Sequence, residues 1–325
     1  MFLFIEKWRA KMYNIPVKTF KGLKNMERCR LCPRECGVDR SGKSRGFCKS
    51  PDAFFVSKIM LHKWEEPCIS GERGVGTIFF GGCNLGCIYC QNRAISRGER
   101  GEIMTDEQLE AEIFALCDKG ASCIEFVTPT HYTKRLASLL CRIKDKIPVP
   151  VVYNSGGYDS TEALKGLDGL IDIYMPDFKY FSSEIAKKYS GAPDYADVSL
   201  SSLKEMLRQV GSPKYFDGDS AKLRSGVILR HLILPSHRQD SIDVLELVAK
   251  EVGAENVILS LMGQYTPDFY VEFEKENGAR EDCKNLRRRI TSFEYNSVLD
   301  AANRLGFSGY MQDISSSSAK YTPDF

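Results

Sequence analysis

The sequence lacks both an excess of charge of one sign and a long uninterrupted hydrophobic run. Its 45 basic and 43 acidic residues leave a formal net charge of only +2, which provides little attraction for nucleic acid or an anionic membrane. The apolar opening Met-Phe-Leu-Phe-Ile is interrupted by Glu6, Lys7 and Arg9 before a signal peptide or a membrane span could form. We therefore expect a cytoplasmic protein that contacts a protein, a peptide or a small molecule, and neither nucleic acid nor membrane.

Cysteine, by contrast, is abundant, with 12 residues in the chain. In a reducing compartment such thiols stay free unless they bind metal, take part in catalysis or fill small gaps in the core. Seven of them form two groups, which are Cys29, Cys32, Cys36 and Cys48, and then Cys83, Cys87 and Cys90. The grouping predicts two metal sites and no disulfide framework. The scattered cysteines are predicted to be buried or packing residues, and they are Cys68, Cys117, Cys123, Cys141 and Cys283. For Cys68 the alternative is an extra ligand of the first metal site.

From Gly76 onward, short apolar segments alternate with amphipathic ones, a pattern typical of βα units and a parallel sheet. Most of the apolar segments are rich in β-branched or aromatic residues. They predict six strands, at 77–80, 123–127, 149–153, 171–175, 227–232 and 257–261. Because an eight-unit barrel typically takes about 250 residues, six units favour a partial (β/α)6 parallel barrel. A flat doubly wound sheet is the alternative.

Two of the predicted helices carry capping boxes, in which a threonine pairs with a Gln or Glu three residues later. Thr105 and Gln108 predict the start of one helix, and Thr291 and Glu294 predict the start of the last helix, which should end at Gly306. Four further helices are predicted near 134–145, 160–166, 195–210 and 241–252.

Three regions are predicted along the chain. Residues 1–72 hold an N-terminal segment and a cysteine-rich lobe, because residues 15 to about 70 show no βα alternation and are rich in Cys, Gly, Pro, Lys and Arg. Such a lobe is too small for a core of its own, and metal would hold it together. Residues 73–310 form the barrel, and residues 311–325 form a tail.

The second cysteine group lies in a glycine-rich loop that follows the first predicted strand. A cubane iron-sulfur cluster ordinarily takes four cysteine ligands, so the three thiolates of Cys83, Cys87 and Cys90 would leave one iron open to a ligand that is not protein. A zinc site completed by a remote Cys or His is the alternative.

The pattern Cys-x-x-x-Cys-x-x-Cys, with Tyr89 before the last cysteine, resembles the signature of the radical S-adenosylmethionine superfamily. The resemblance implies that the open iron of a 4Fe–4S cluster binds the amine and carboxylate of S-adenosylmethionine. One electron, from a donor such as flavodoxin or ferredoxin, would then yield methionine and a 5'-deoxyadenosyl radical that abstracts hydrogen from a substrate. The protein's part would be to orient and shield this chemistry.

Five strings resemble homologues of the pyruvate formate-lyase activating enzyme, each near a predicted strand end, and the similarity covers most of residues 29–310. They are residues 64–71, 127–132, 152–158, 174–179 and 229–235, and the resemblance implies that they line the S-adenosylmethionine site. It implies that Tyr89 meets the adenine and that Arg230 contacts the cofactor. It further implies a set of residues for the methionyl carboxylate, the ribose and a cation, namely Asn154, Ser155, Met175, Asp177 and Lys179. Thr128-Pro129-Thr130 replaces a Gly-Gly-Glu type turn, where backbone carbonyls could accept the amine. His131, just after this turn, is the candidate catalytic residue.

The first cysteine group, Cys29, Cys32, Cys36 and Cys48, supplies enough thiolates to close a metal shell. Zinc would stabilise the lobe, whereas a second iron-sulfur cluster would carry electrons or help to bind substrate. Activating enzymes with additional clusters usually place those cysteines after the radical triad, and here they precede it. The substrate therefore stays open between a glycyl radical enzyme, a peptide and a small metabolite. The alternative function is a non-enzymatic iron-sulfur or zinc protein that transfers electrons or acts as a scaffold.

Overall fold

The computed structural model of the protein describes residues 28–312, in which ten strands form one sheet. Strands β2, β4, β5, β6, β8, β9 and β10 lie side by side in this order and run parallel. β1 pairs antiparallel with β2, and β3 with β1, while β7 pairs antiparallel with β8. The strands are β1 Phe54–His62, β2 Val75–Phe80, β3 Glu102–Met104, β4 Ile124–Val127, β5 Val151–Ser155, β6 Ile173–Pro176, β7 Lys214–Phe216, β8 Asp219–Leu232, β9 Ile258–Met262 and β10 Ser308–Met311.

Helices connect the parallel strands, and both predicted capping boxes are confirmed. Thr105 Oγ1 accepts a hydrogen bond from the Gln108 amide, and the Gln108 side chain accepts one from the Thr105 amide at 2.8 Å. Thr291 and Glu294 are bonded in the same reciprocal way. The helices are α1 Pro67–Ser70, α2 Arg93–Ser96, α3 Asp106–Asp118, α4 Thr133–Ile143, α5 Thr161–Lys165, α6 Ser183–Ser190, α7 Tyr195–Val210, α8 Arg238–Val252, α9 Asp268–Asn277 and α10 Ser292–Arg304.

All six predicted strands are present, as β2, β4, β5, β6, β8 and β9, and the sheet they form is curved. α1 touches β4 and β10, which are far apart in the strand order: Cys123 Sγ, just before β4, lies 3.6 Å from the Ile69 carbonyl oxygen, and Cys68 is hydrogen-bonded to Tyr310 on β10. A flat sheet would hold these two strands apart, so the curvature is that of a partial parallel barrel. Within the described residues, β3 and β10 end the strand order without pairing to each other, so the barrel is open.

Residues 54–70, which were predicted to belong to the cysteine-rich lobe, instead belong to the barrel. They form β1, which extends the sheet, and α1, whose Cys68 and Ile69 join the apolar cluster inside the barrel. The sequence did not predict β1, because most of its residues are half-buried and show no clear alternation of apolar and polar side chains. Only the first residues of β1, Phe54–Val56, have β3 beside them. The irregular cysteine segment of the described chain is therefore residues 28–53.

Two expectations lie outside the described residues, namely the opening stretch that led us to expect a cytoplasmic protein and nearly all of the tail predicted at 311–325. No helix within residues 28–312 is long and apolar enough to cross a membrane.

Candidate functional site

The three cysteines of the second group lie in the loop that follows β2. Gly82 and Gly86 adopt left-handed backbone conformations, with φ of 86° and 64°, which favour glycine. A Cβ atom on Gly82 would lie 2.2 Å from the carbonyl oxygen of Cys48. The cysteine loop therefore needs glycine in order to fit against the N-terminal segment.

The three thiols face one cavity of about 240 Å³ at the carboxyl ends of the parallel strands. Burial and the neighbouring thiolates of Cys87 and Cys90 raise the pKa of Cys83 to about 12. Cys87 Sγ accepts a hydrogen bond from Ser190 Oγ at 3.0 Å, and Cys83 Sγ accepts one from the Leu85 amide at 3.4 Å. Bound iron would relieve the repulsion among the thiolates.

Most of the predicted cofactor-binding residues line the same cavity. They come from the ends of successive parallel strands or from the loops that follow, where residues distant in sequence converge. Lys179 Nζ forms an ion pair with Asp177 Oδ2. Burial acts to lower the pKa of Lys179, but the charge of Asp177 helps to raise it well above its usual value. The predicted residues that line the cavity are Cys83, Cys87, Tyr89, Cys90, Thr128, Asn154, Ser155, Asp177, Lys179 and Arg230.

Tyr89 and Thr128 are held firmly at the wall of this cavity. The Tyr89 hydroxyl lies 2.6 Å from that of Tyr180, and its ring makes edge contacts with Tyr189 and Tyr265. Thr128 has a φ of 58°, a conformation that few residues other than glycine adopt, and its amide donates to the Asn154 carbonyl at 2.8 Å.

The structure does not bring His131 or Met175 to the cavity. His131 is buried beside the N-terminal segment, where its Nε2 lies 3.1 Å from the Gly81 carbonyl oxygen and its own carbonyl accepts from Arg40. Burial and the Arg40 charge lower the pKa of His131 to about 3, so it is a neutral structural residue and not the catalytic candidate that was predicted. Met175 points into the apolar cluster beneath the cavity, where it is fully buried.

The loop that carries Cys83, Cys87 and Cys90 is called the radical-type loop below. The first cysteine group lies against the outside of this loop and does not line the cavity. Burial and the charges of the other three thiolates raise the pKa of Cys32 to about 12, which places all four near one another. As they stand, no three or more His, Cys, Asp or Glu side chains within residues 28–312 are arranged to hold a metal ion. Among the scattered cysteines, Cys141 was predicted to pack but is exposed.

Arg34, which lies between Cys32 and Cys36 in the sequence, connects the two cysteine groups. Its guanidinium donates to the carbonyl of Asn84 at 2.8 Å and to that of Ser190 at 2.7 Å, and it lies 4.0 Å from the centre of the Phe47 ring. Because Asn84 is the residue after Cys83, the side chain of Arg34 fixes the backbone of the radical-type loop directly.

The sequence analysis gave no individual role to the acidic residues at the deep end of the cavity, although Glu65 and Glu66 lie in the segment 64–71 that the resemblance assigned to the site. Glu65 and Glu66 line it from the turn before α1. Glu125 lies behind them on β4, fully buried, and accepts hydrogen bonds from Asn154 at 2.7 Å and Thr77 at 3.0 Å. Burial raises the pKa of Glu125 to about 7. A glutamate in the middle of the apolar strand Ile-Glu-Phe-Val was the available signal, because such residues are rarely fully buried without a partner.

The fold and the site together define an α/β barrel-type protein with a thiol-lined ligand cavity at the mouth of its parallel sheet. Residues 77–214 match the family model described as Radical SAM superfamily. The matched residues, which are less than half of the chain, are thus similar to a radical S-adenosylmethionine domain, and they contain the cysteine triad.

Two curated proteins of Methanocaldococcus jannaschii are similar to this chain, and both are named as uncharacterized. MJ0674 is 24% identical over 92% of this chain and 81% of its own length, and MJ0808 is 25% identical over 75% of this chain and 72% of its own length. Among solved structures, methylornithine synthase (PylB) aligns with a TM-score of 0.41 and 14% identity, over 55% of this chain and 50% of that one.

A domain of this superfamily implies a 4Fe–4S cluster and S-adenosylmethionine, and the residues present fit both. The thiolates of Cys83, Cys87 and Cys90 need not converge on one atom, since each would bind a different iron of a cubane. Next to them the cavity offers the ammonium of Lys179, the carboxylate of Asp177 and several side-chain hydroxyls. These are the groups that a charged, hydroxylated cofactor requires.

Proposed function

We propose that this protein is a radical S-adenosylmethionine enzyme whose 4Fe–4S cluster is held by Cys83, Cys87 and Cys90. When bound, the cluster and cofactor would supply a 5'-deoxyadenosyl radical, which abstracts a hydrogen atom from the substrate. One observation carries the proposal: the three thiols line the same cavity as the polar residues at the strand ends. A cluster at the cysteines and a ligand among the strand ends would therefore touch.

The residues around the cavity would orient the cofactor and exclude water. Lys179 stays protonated at neutral pH because of Asp177, so its ammonium is available to a carboxylate or a hydroxyl. Arg230 lies 3.7 Å from the same carboxylate, at Asp177 Oδ1. The apolar side chains of Phe79, Phe80 and Leu85 complete the wall, and this restricts water and side reactions at the reacting atoms.

The specific branch of the superfamily and its partners are part of the same proposal. The strand-end strings support an activating-enzyme-like branch, for which a glycyl radical enzyme is one substrate and a peptide or small metabolite another. A cytoplasmic flavodoxin or ferredoxin would supply the electron.

We also propose that Cys29, Cys32, Cys36 and Cys48 bind a second metal, either zinc or an additional iron-sulfur cluster. The other three thiolates are close enough to raise the pKa of Cys32, which supports a shared site. A metal bound there would lie next to the first site, because Arg34 contacts the backbone of the radical-type loop.

Anaerobic reconstitution tests both proposals. Metal and sulfide would be measured, and formation of 5'-deoxyadenosine from S-adenosylmethionine would be followed after addition of dithionite. We expect slow cleavage without substrate, with about four irons if the second metal is zinc and about eight if it is a cluster. A complete, reducible cluster that cleaves nothing would contradict the enzyme and favour an electron carrier.

A further inference from the structure

The deep end of the cavity, which we call the acidic floor, is formed by Glu65, Glu66 and Glu125. Glu65 and Glu66 line the cavity, and the Coulomb effects of Glu66 and Glu125 on Glu65 show that the three carboxyl groups lie close together. The cation that faces them is Arg230, whose guanidinium also faces Asp177. Lys179 is already paired with Asp177. Burial and the neighbouring carboxyl groups raise the pKa of Glu65 well above its usual value and that of Glu125 to about 7. A further cation on the floor would stabilise the charged form of both.

Arg230 does not satisfy the floor by hydrogen bonding. Its ion pairs with Glu65 and Glu66 are 3.6 and 3.7 Å long, and its Nε has no hydrogen-bond partner among the described residues. Glu66 Oε2 likewise accepts no hydrogen bond, although Glu66 is only 6% exposed. A buried polar atom without a hydrogen-bond partner is destabilising, so these atoms indicate a ligand.

A second, independent observation comes from Ser260 on β9. Its side chain is fully buried and its hydroxyl has no hydrogen-bond partner within the described part of the chain. It faces the barrel interior, because Ile258 lies in the interior cluster and Met262 lines the cavity. Ser260 is in register with Arg230 on the neighbouring strand, so a further unpartnered polar group lies beside the floor.

The floor begins where the cofactor residues end, and Arg230 joins the two, since it faces Asp177 as well as Glu65 and Glu66. Glu125 lies two residues deeper along β4 than Val127, which lines the cavity. At about 3.3 Å per residue, this places Glu125 roughly 6–7 Å farther from the cysteine loop. A ligand anchored on the floor would extend toward the cofactor.

We propose that the acidic floor binds an ammonium group of the substrate, so that the enzyme acts on a primary amine. The inference rests on the proposed function, because it names the substrate class for the same cavity. An ammonium has three donors and a compact positive charge, which suit three converging carboxyl groups. The carbon chain of the amine would then point toward the cofactor, where hydrogen is abstracted.

The test uses reconstituted protein with saturating S-adenosylmethionine and no reductant, so that the cofactor site is filled and nothing turns over. Binding is measured by ligand-observed NMR for methyl- to hexylammonium, each compared with the alcohol of the same length. We expect at least one ammonium to bind about tenfold or more tightly than its alcohol. Glu66→Gln should abolish this preference, whereas Glu72→Gln, at an exposed position after α1, should retain it.

Failure of the inference and failure of the proposed function give different results. If no ammonium in the series is preferred over its alcohol in the wild-type protein, the floor holds only water and the inference is overturned, whether or not Glu66→Gln folds. Formation of 5'-deoxyadenosine by wild-type protein without any amine tests the radical function separately. Cleavage without ammonium preference overturns the floor alone, while ammonium preference without cleavage supports the floor and overturns the radical enzyme.

Discussion

The two cysteine groups of this protein have similar spacings but different surroundings. Cys83, Cys87 and Cys90 follow a fully buried strand and line a cavity at the sheet's carboxyl edge. Cys29, Cys32, Cys36 and Cys48 lie in a segment without helix or strand, where short backbone hydrogen bonds such as Cys29 N to Val38 O at 2.8 Å shape the loop. Cys36 is exposed.

Position in the fold, and not cysteine spacing alone, therefore determines which cysteine group faces a ligand cavity. A metal held by the triad would face a ligand cavity, whereas a metal held by the first group would face the protein and solvent. The groups are nevertheless in contact, because Ser50 Oγ donates to the Gly81 carbonyl at 2.8 Å and Arg34 reaches the backbone at Asn84. The first group therefore packs directly behind the second.

The largest expected effect separates the two groups. Cys90→Ala should lower 5'-deoxyadenosine formation by at least roughly 100-fold, beyond the range for groups that only support metal ligands, because one iron loses its thiolate. Cys32→Ala should release the metal of the first group and leave the iron of the triad bound. Metal analysis and the 5'-deoxyadenosine assay on both reconstituted variants would check this.

Cys141→Ala is the matched control, since Cys141 is an exposed cysteine outside both groups, and it should behave as wild type. If Cys32→Ala loses all of its iron, the two groups are one interdependent unit. Full cleavage by Cys90→Ala would show that the triad is not the radical site.

A smaller effect is expected where the two groups are joined. Arg34→Ala removes charged hydrogen bonds to the carbonyls of Asn84, Ser190 and Gly191 and leaves these carbonyls to find other donors. We expect the free energy of unfolding to fall by about 2–4 kcal/mol, with faster loss of iron from the triad. Denaturant unfolding and the rate of iron release to a chelator measure the two effects.

Arg45→Ala is the control for this change, because Arg45 is exposed and bonds only to carbonyls of its own loop, at Gly42 and Ser44. Arg34→Lys should recover little stability, since a lysine cannot supply the forked donors of the guanidinium. Wild-type iron release from Arg34→Ala would mean that the first group gives the triad no support.

The barrel could be predicted from sequence because each of its signals is local. Buried parallel strands are continuous apolar segments, and the boxes at Thr105 and Thr291 mark helix starts directly. β1 gave no comparable signal, since most of its residues are half-buried. Its place in the sheet depends on pairing with β2, which no local pattern encodes.

The sequence identified cavity residues that belong to a recognisable motif. It gave no role to residues that only packing brings to the cavity. The cysteine spacing and the strand-end strings identified most of the cavity lining. His131 was misjudged because it follows a strand-end turn, yet its side chain turns toward Gly81. Glu65 and Glu66 were expected near the site but without a role of their own, because only the packing of α1 against the interior cluster brings them to the cavity floor.

The smallest expected effect concerns the electronic tuning of the triad by Ser190, at the end of α6. Its hydroxyl donates to Cys87 Sγ at 3.0 Å, and hydrogen bonds to cysteine sulfur help to set cluster potentials by stabilising the more negative, reduced state. A bond worth about 1 kcal/mol corresponds to roughly 40 mV for a one-electron couple, because a tenfold change in equilibrium is about 59 mV. Ser190→Ala should therefore lower the reduction potential of the reconstituted cluster by about that amount in an EPR-monitored titration.

Ser202→Ala is the control for this prediction. The buried hydroxyl of Ser202 donates to the Gly157 and Ser199 carbonyls instead, so its removal should leave the potential unchanged. An unchanged potential in Ser190→Ala, or an equal shift in both variants, would show that this hydrogen bond does not distinguish the triad.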